Sequence, residues 1–286
     1  MKIALDAMGH DEGPRKLIEG AALALQEYAE ISRLFLTGDA PTLEAELKRV
    51  GCNDGRIEIV HCTQVVAMSD AAIDAVRRKK DSSVTRAVDL VKSGDAEAIV
   101  SAGHTGAAVA ATTVKLRTLP GIERPAIAAT LPTETNLFVL IDAGANTDPT
   151  PIQMLHNAIM GSVYSKYVLG YKNPSVGLMS IGTEDKKGNT FTLESFALLK
   201  SSGLNFRGNV EGHDLFENPV EVVVADGFTG NVVLKTSEAV AHAVFRWLKH
   251  EIYRTPMRKL GGYLAKGAFL SIRKKTNPDE YGGSQL

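Results

Sequence analysis

The chain has little cysteine and no long apolar run, and each absence excludes a class of protein. Its 286 residues contain only Cys52 and Cys62, which form no CxxC motif, so a disulfide framework and a cysteine zinc site are excluded. No stretch approaches the roughly eighteen apolar residues that a membrane-spanning helix needs. Asp6 interrupts the short apolar start, which excludes a secretory signal. We therefore expect a cytoplasmic protein.

An excess of charge of one sign is also missing from the chain as a whole. The net charge is -1, with 44% hydrophobic and 23% charged residues, which is typical of a globular protein and predicts no nucleic-acid partner. The segment 246–275 differs, because it holds nine Lys and Arg but one acid, Glu251. Its charge of +8 leaves the rest of the chain at -9. Such a segment indicates an acidic partner or an anionic surface.

The standard catalytic signatures are absent as well. The sequence has no GxxxxGK[ST] loop, no GxGxxG after a strand, no GxSxG and no HExxH. It therefore lacks the motifs typical of ATP sites, dinucleotide sites, serine hydrolases and zinc proteases. Neither cysteine has an evident histidine partner. We therefore expect no metal, no cofactor and no covalent cysteine catalysis.

Short apolar runs instead alternate with segments of helical spacing along the chain. This alternation predicts parallel strands joined by right-handed crossovers, and hence an α/β fold with a three-layer α/β/α sandwich and a mostly parallel sheet. No linker is apparent, which predicts a single α/β catalytic domain over 1–286. The helical region 229–272, broken near Pro256, is too long for a crossover. It is predicted to pack against another subunit or a membrane surface.

Five predicted strand exits, the loops that lead from a strand into the next helix, have a similar composition. Each combines glycine with serine, threonine, asparagine or aspartate. They span residues 6–11, 101–106, 142–146, 181–189 and 226–231. Glycine lets a ligand approach the backbone, helix N-termini attract anions, and the exits of a parallel sheet share one edge. The alternative is that these residues only make tight turns and helix caps. Five such loops in one chain favour at least one anion site.

Together these motifs resemble the bacterial phosphate acyltransferase family of phospholipid synthesis. The resemblance runs in order over the whole length and rests on many short segments. They include Asp6-Ala7-Met8-Gly9, Arg77-Arg78-Lys79-Lys80, Ser101-Ala102-Gly103, Asp142 with Gly144-Ala145-Asn146, Gly182-Thr183-Glu184, Gly208-Asn209-Val210-Glu211, Asp226-Gly227-Phe228-Thr229-Gly230-Asn231 and Tyr281-Gly282-Gly283. Three departures stand out: His10 replaces the family's glycine, His104 replaces its asparagine, and the family continues beyond the last motif with a further strand and helix.

The resemblance implies a fold related to phosphotransacetylases and to isocitrate and isopropylmalate dehydrogenases, with protruding C-terminal helices. It implies an enzyme that reversibly makes acyl phosphate from fatty acyl-acyl-carrier-protein and inorganic phosphate, the first step toward phosphatidic acid. It also implies a homodimer, peripheral association with the inner face of the membrane, and transfer of the product to a membrane glycerol-3-phosphate acyltransferase. The alternatives are a phosphotransacetylase that uses acyl-coenzyme A and a non-catalytic binding or regulatory paralogue. A nicotinamide dehydrogenase rests on fold kinship alone.

Acyl transfer from a thioester to phosphate depends on the positioning of the two reactants and on stabilisation of the oxyanion, more than on a covalent intermediate with the enzyme. We expect the catalytic residues to be Lys187, Asn231, Lys235 and His104. We expect phosphate to contact Ser101, Thr105, Gly106, Lys186 and Asn189. The alternative for each lysine is a solvated surface charge, and Thr229 is expected to cap its helix.

Two basic regions are candidates for docking. Arg77, Arg78, Lys79 and Lys80 form a compact patch for the acidic carrier protein, and the alternative is a solvated helix start. Met257, Leu260 and Leu264 fall at helical spacing among basic residues, which predicts either contact with an anionic membrane surface or packing in a dimer.

Overall fold

The computed structural model describes residues 1–10, 12–217, 220–277 and 282–286. Two predicted loop and motif residues, Asp11 and Tyr281, lie outside the described residues. The chain divides into two compact units, Met1–Leu119 and Pro120–Leu286, called here the first and the second unit and described separately. That 1–286 acts as a single catalytic domain stays a prediction.

The first unit is built on a four-stranded sheet in which every strand is parallel to its neighbours, in the order β3-β2-β1-β4. Its elements in chain order are β1 (Lys2–Asp6), α1 (Pro14–Glu27), β2 (Arg33–Gly38), α2 (Ala40–Val50), β3 (Ile57–His61), α3 (Ala72–Arg78), α4 (Ser83–Ser93), β4 (Ala98–Ser101) and α5 (Thr105–Lys115).

Alternate side chains of the central strands pack on opposite faces of this sheet. Leu5 of β1 and Leu36 of β2 lie in one buried cluster with Ile18 of α1. Phe35 lies in another cluster with Ala87 of α4. A strand places successive side chains on opposite faces, so the sheet is the middle of three layers.

The second unit is built on a six-stranded sheet in the order β10-β5-β6-β9-β7-β8. Its elements are β5 (Ile127–Pro132), β6 (Leu137–Ile141), α6 (Pro151–Tyr167), β7 (Val176–Met179), α7 (Thr190–Ser201), β8 (Phe206–Val210), a 3-10 turn (Asp214–Phe216), β9 (Val222–Val224), α8 (Gly227–Ile252), α9 (Pro256–Leu264), α10 (Lys266–Lys275) and β10 (Gly283–Gln285). Strands β6, β9, β7 and β8 are parallel, and β5 is antiparallel to both β6 and β10.

Both faces of this sheet are buried too. Val222 and Val224 pack with Met154 of α6 on one face, and Val223 packs with Leu215 on the other. Because β9 is apolar at every position and lies between two parallel neighbours, it is the two-sided strand that a covered parallel sheet requires.

The predicted fold class is confirmed, with α/β layering and mostly parallel strands in both units. Strands β5 and β6 are consecutive along the chain and form an antiparallel pair. The long helical region is confirmed as α8, α9 and α10, and it breaks at Thr255 and Pro256. One expectation was wrong: the five strand exits do not share a single sheet, because two belong to the first unit and three to the second.

Gly177 of β7 fills a site with no room for a larger residue. A Cβ at this position would clash with Val210 and lie 3.1 Å from Cγ2 of Val220. We predict that Gly177→Ala lowers stability by about 1–3 kcal/mol, the usual cost of overpacking a core. Gly20→Ala is the matched control, because Gly20 lies in α1 with no atom near the added Cβ and should gain up to about 1 kcal/mol. Urea unfolding followed by circular dichroism measures both, and an unchanged midpoint for Gly177→Ala would contradict the packing account.

Candidate functional site

The first unit brings two of the predicted loops together, because β1 and β4 are neighbours. The hydroxyl of Ser101 donates to Oδ2 of Asp6 at 2.8 Å and accepts from the N–H of Gly103 at 3.3 Å. Asp6 is 3% exposed. A hydroxyl has one hydrogen, and that of Ser101 is directed at Asp6, so Ser101 links the two loops. The sequence placed Asp6 in a predicted strand exit but gave it no role in the site, although a polar residue that ends a buried strand is a usable signal.

His104 caps helix α5 with its ring. Nδ1 accepts from the N–H of Ala107 at 3.2 Å, and Nε2 lies 3.0 Å from the carbonyl oxygen of Asp70. Since Nδ1 accepts, the ring hydrogen sits on Nε2 and donates to Asp70. Both ring nitrogens are thus engaged within the protein. The next residues, Thr105 and Gly106, are exposed in the first turn of α5, where helix N–H groups point outward.

The basic patch at the end of α3 is smaller than its sequence indicates. Arg77, Arg78 and Lys80 are exposed. Lys79 is half-buried, and its ammonium lies 2.6 Å from Oδ2 of Asp70. The hydrogen bond from Lys79 lowers the pKa of Asp70. Three of the four cations are therefore free to face a partner.

The second unit gathers three predicted loops at one edge of its sheet. Strands β6, β9 and β7 are parallel neighbours, so their carboxyl ends point the same way. The loop 142–146 follows β6, the start of α8 follows β9, and the loop 180–189 follows β7. This is the edge at which ligands bind in open α/β sheets.

Asp142 organises the first of these loops. The side chain is fully buried, and its two oxygens accept four backbone N–H groups at 2.7–3.0 Å. The donors are Ile127, Gly144, Ala145 and Asn146. Four donors satisfy the buried carboxylate, so Asp142 orients the loop.

The first turn of α8 packs closely against that loop. The N–H of Gly227 donates to the carbonyl of Asn146 at 2.8 Å, and a Cβ on Gly230 would clash with the carbonyl oxygen of Asp142. Asp226 caps the helix by accepting from the N–H of Thr229 at 2.9 Å, so the expectation that Thr229 is the cap was wrong: Thr229 lies in the first turn of α8. Asn231 is exposed, and its Cγ lies 3.5 Å from where a Cβ on Gly144 would stand. The structure therefore brings Asn231 beside the loop of Asp142.

The predicted lysines divide between the loop after β7 and helix α8. Lys186 and Lys187 are exposed in the loop 180–189. Asn189 ends the loop and caps α7, accepting from the N–H of Thr192 at 2.9 Å. Lys235 lies one turn beyond Asn231 and pairs with Glu238 at 2.9 Å.

Neither cysteine lies in these loops. Burial raises the pKa of the Cys62 thiol to about 11, so it stays protonated near neutral pH and is a poor nucleophile. Cys52 follows the C-terminal end of α2.

Helices α8, α9 and α10 expose many apolar side chains. Met257 is 77% exposed, and Tyr263 and Leu264 are similar. A groove of about 1090 Å³ runs between the helices, lined by apolar residues such as Phe245 and by cations such as Arg246. In the part of the chain that the structure describes, no helix combines the length and the apolar character needed to cross a bilayer.

Comparison with known proteins decides the family. The sequence model of a family described as "Fatty acid synthesis protein" matches residues 1–286. A phosphate acyltransferase of Akkermansia muciniphila is 47% identical over 292 residues, which cover 100% of this chain and 84% of the relative. The phosphate acyltransferase of Geobacter sulfurreducens is 47% identical, with 100% and 82% covered. The chain belongs to the phosphate acyltransferase family. It is an acyltransferase, as the sequence predicted.

Solved structures with a similar fold include phosphotransacetylases. The EutD phosphotransacetylase of Staphylococcus aureus has a TM-score of 0.60 and 18% identity, covering 85% of this chain and 82% of that one. A phosphotransacetylase of Streptococcus pyogenes has a TM-score of 0.62 at the same identity and coverage. These likenesses confirm the predicted kinship of fold with phosphotransacetylases.

Proposed function

We propose that the chain transfers a fatty acyl group from acyl carrier protein to inorganic phosphate, reversibly, as an early step toward phosphatidic acid. A phosphate oxygen attacks the thioester carbonyl carbon, the carbon–sulfur bond breaks, and its electron pair leaves with the carrier's sulfur. A thiol has a pKa of roughly 8.5, so the thiolate leaves without a strong general acid. The protein must place phosphate within about 3–3.5 Å of the carbonyl and stabilise the oxyanion.

The proposal rests mainly on the residues that meet at one edge of the second unit's sheet. Asn231 and Lys187 follow neighbouring parallel strands, both are exposed, and helix α8 begins beside the loop of Asp142. Lys187, with Lys186 and Asn189, supplies charge and hydrogen bonds to phosphate. Asn231 donates to the oxyanion, and Lys235 adds positive charge one turn later.

Loops of the first unit are also proposed to contact phosphate. Thr105 and Gly106 offer the N–H groups of a helix start. Ser101 and His104 act on phosphate only if they exchange the partners described above, Asp6 for Ser101 and Asp70 with Ala107 for His104. These four residues are the proposed phosphate contacts of the first unit, and His104 is proposed to be catalytic as well.

Single substitutions at the proposed catalytic edge test the assignment. We predict that Lys187→Ala and Asn231→Ala each lower kcat/KM for phosphate by about a hundredfold, the order of loss when a charge or oxyanion donor is removed. The assay follows phosphate-dependent release of carrier thiol from purified acyl carrier protein. Lys172→Ala and Asn173→Ala are matched controls, because both are exposed just before β7, at the opposite end of that strand. Near wild-type kcat/KM for both catalytic-edge variants would refute the assignment. The same assay with acyl-coenzyme A at equal concentration compares the two donors.

The carrier protein is acidic and is proposed to dock on Arg77, Arg78 and Lys80, which are exposed. Lys79 contributes less, because it is paired with Asp70. We predict that KM for acyl carrier protein rises by about tenfold from low to physiological salt, since screening weakens long-range attraction. The double variant Arg77→Ala/Arg78→Ala should flatten that dependence. Lys92→Ala, another exposed cation of the first unit, should leave it unchanged, and a wild-type KM that does not respond to salt would rule out this docking site.

Helices α8 to α10, which include the region 229–272, are proposed to form a homodimer contact and to meet an anionic membrane. There a membrane glycerol-3-phosphate acyltransferase would receive the acyl phosphate. The exposed apolar side chains support both roles, and the charge of +8 over residues 246–275 supports the membrane contact.

Vesicle flotation and sedimentation test these contacts. We predict that Leu260→Glu/Leu264→Glu reduces flotation with anionic liposomes by at least about tenfold and shifts sedimentation toward the monomer, because it places charge on the exposed apolar face. Neutral liposomes are the control for the electrostatic contribution. A protein that neither floats with anionic liposomes nor sediments as a dimer would exclude both roles.

A further inference from the structure

The motif Gly208-Asn209-Val210-Glu211 has no part in the proposed chemistry, yet it ends β8 beside the loop that carries Lys187. Asn209 is 8% exposed. Its side-chain Nδ2 donates to the carbonyl oxygen of Glu184 at 2.8 Å. A buried amide therefore reaches from the edge strand into the loop after β7.

The carbonyl oxygen of Glu184, which accepts from Asn209, also accepts a hydrogen bond from the backbone of Lys187. The N–H of Lys187 donates to the same oxygen of Glu184 at 3.0 Å. A Cβ on Gly182 would stand 2.7 Å from Cγ of Lys187, so the aliphatic part of the lysine packs on that glycine. A shift of the Glu184 carbonyl would therefore move the lysine with it.

Glu211 holds the same loop at a second point. Its Oε1 accepts from the N–H of Thr183 at 3.1 Å. Between the two side chains, the carbonyl of Val210 accepts from the N–H of Ser180 at 2.9 Å. Three successive residues at the end of β8, Asn209 to Glu211, thus each form a hydrogen bond with the loop.

Stability of the fold alone does not account for an amide at position 209. Its Oδ1 is buried and lacks a hydrogen-bond partner among the residues that the structure describes. A buried acceptor without a partner opposes folding. What the amide supplies is its donor, and that donor is directed at the loop of Lys187.

We infer that Asn209, with Glu211, is a positioning residue that holds Lys187 in the geometry needed for acyl transfer. The inference rests on the proposed function, in which Lys187 contacts phosphate. Misplacement of a catalytic group by about 1 Å can reduce the rate about a hundredfold, so loss of the support of the loop lowers activity even when the lysine itself is present.

The test compares Asn209→Ala with Asn205→Ala. Asn205 lies just before β8, and its Nδ2 donates to the carbonyl of Asn173 at 3.0 Å, so this control removes the same kind of bond at the other end of the strand. We expect Asn209→Ala to lower kcat/KM for phosphate by about tenfold, while Asn205→Ala stays within about twofold of wild type. Trypsin should cleave after Lys186 or Lys187 faster in Asn209→Ala than in Asn205→Ala, because the loop is released.

Glu211 provides a second variant, because its side chain is 31% exposed and its loss leaves no large internal gap. Glu211→Ala should reproduce both effects. Glu211→Gln should restore wild-type behaviour, because the amide retains an oxygen that accepts from Thr183. Wild-type kcat/KM and wild-type trypsin resistance in both Asn209→Ala and Glu211→Ala would overturn the inference.

A double-mutant cycle separates this inference from the function on which it rests. If Asn209 acts through Lys187, then Lys187→Ala/Asn209→Ala is no less active than Lys187→Ala. A further tenfold loss in the double variant would overturn the inference alone. Wild-type activity of Lys187→Ala would overturn the proposed function, and the inference with it.

Discussion

One buried carboxylate determines the geometry of the candidate site in the second unit. Asp142 accepts four backbone N–H groups, which bends the chain after β6 into a fixed loop. Helix α8 begins against that loop, with Gly227 and Gly230 in close approach to it. The direction of α8 and the place of Asn231 follow from this contact. A charged residue is tolerated in the core here because its hydrogen bonds are complete.

Much of this arrangement could be predicted from the sequence. Apolar runs such as Val222-Val223-Val224 require cover on both faces, which indicates parallel strands between helix layers. Pro256 marks the break between α8 and α9. The exits after β6, β9 and β7 carry the glycine and asparagine residues that a ligand-binding edge uses. Each of these features depends on neighbours in the chain, and so it can be seen in a single sequence.

Other features depend on contacts between distant residues. The short strand β10 has the sequence Gly-Ser-Gln, with no apolar alternation, and it exists only because β5 offers an open edge. Lys79 resembles its three basic neighbours in sequence, but only the fold brings Asp70 to it. His104 and Ser101 are polar residues in promising loops. Ser101 meets Asp6 only when strands β1 and β4 are paired, and His104 meets the carbonyl of Asp70, 34 residues away, only in the folded chain. For the same reason, the contact between Asn209 and the loop of Lys187 could not be predicted from the sequence.

The two thiols of the chain differ in a way that is useful in the laboratory. With its pKa raised to about 11, Cys62 keeps only about a thousandth of its population as thiolate at pH 8, and maleimides react with the thiolate form. Cys52 stands at a helix end and is only half-buried. The natural sequence thus offers one attachment point for a fluorophore or spin label, which lies in the first unit and is not part of any loop assigned to chemistry.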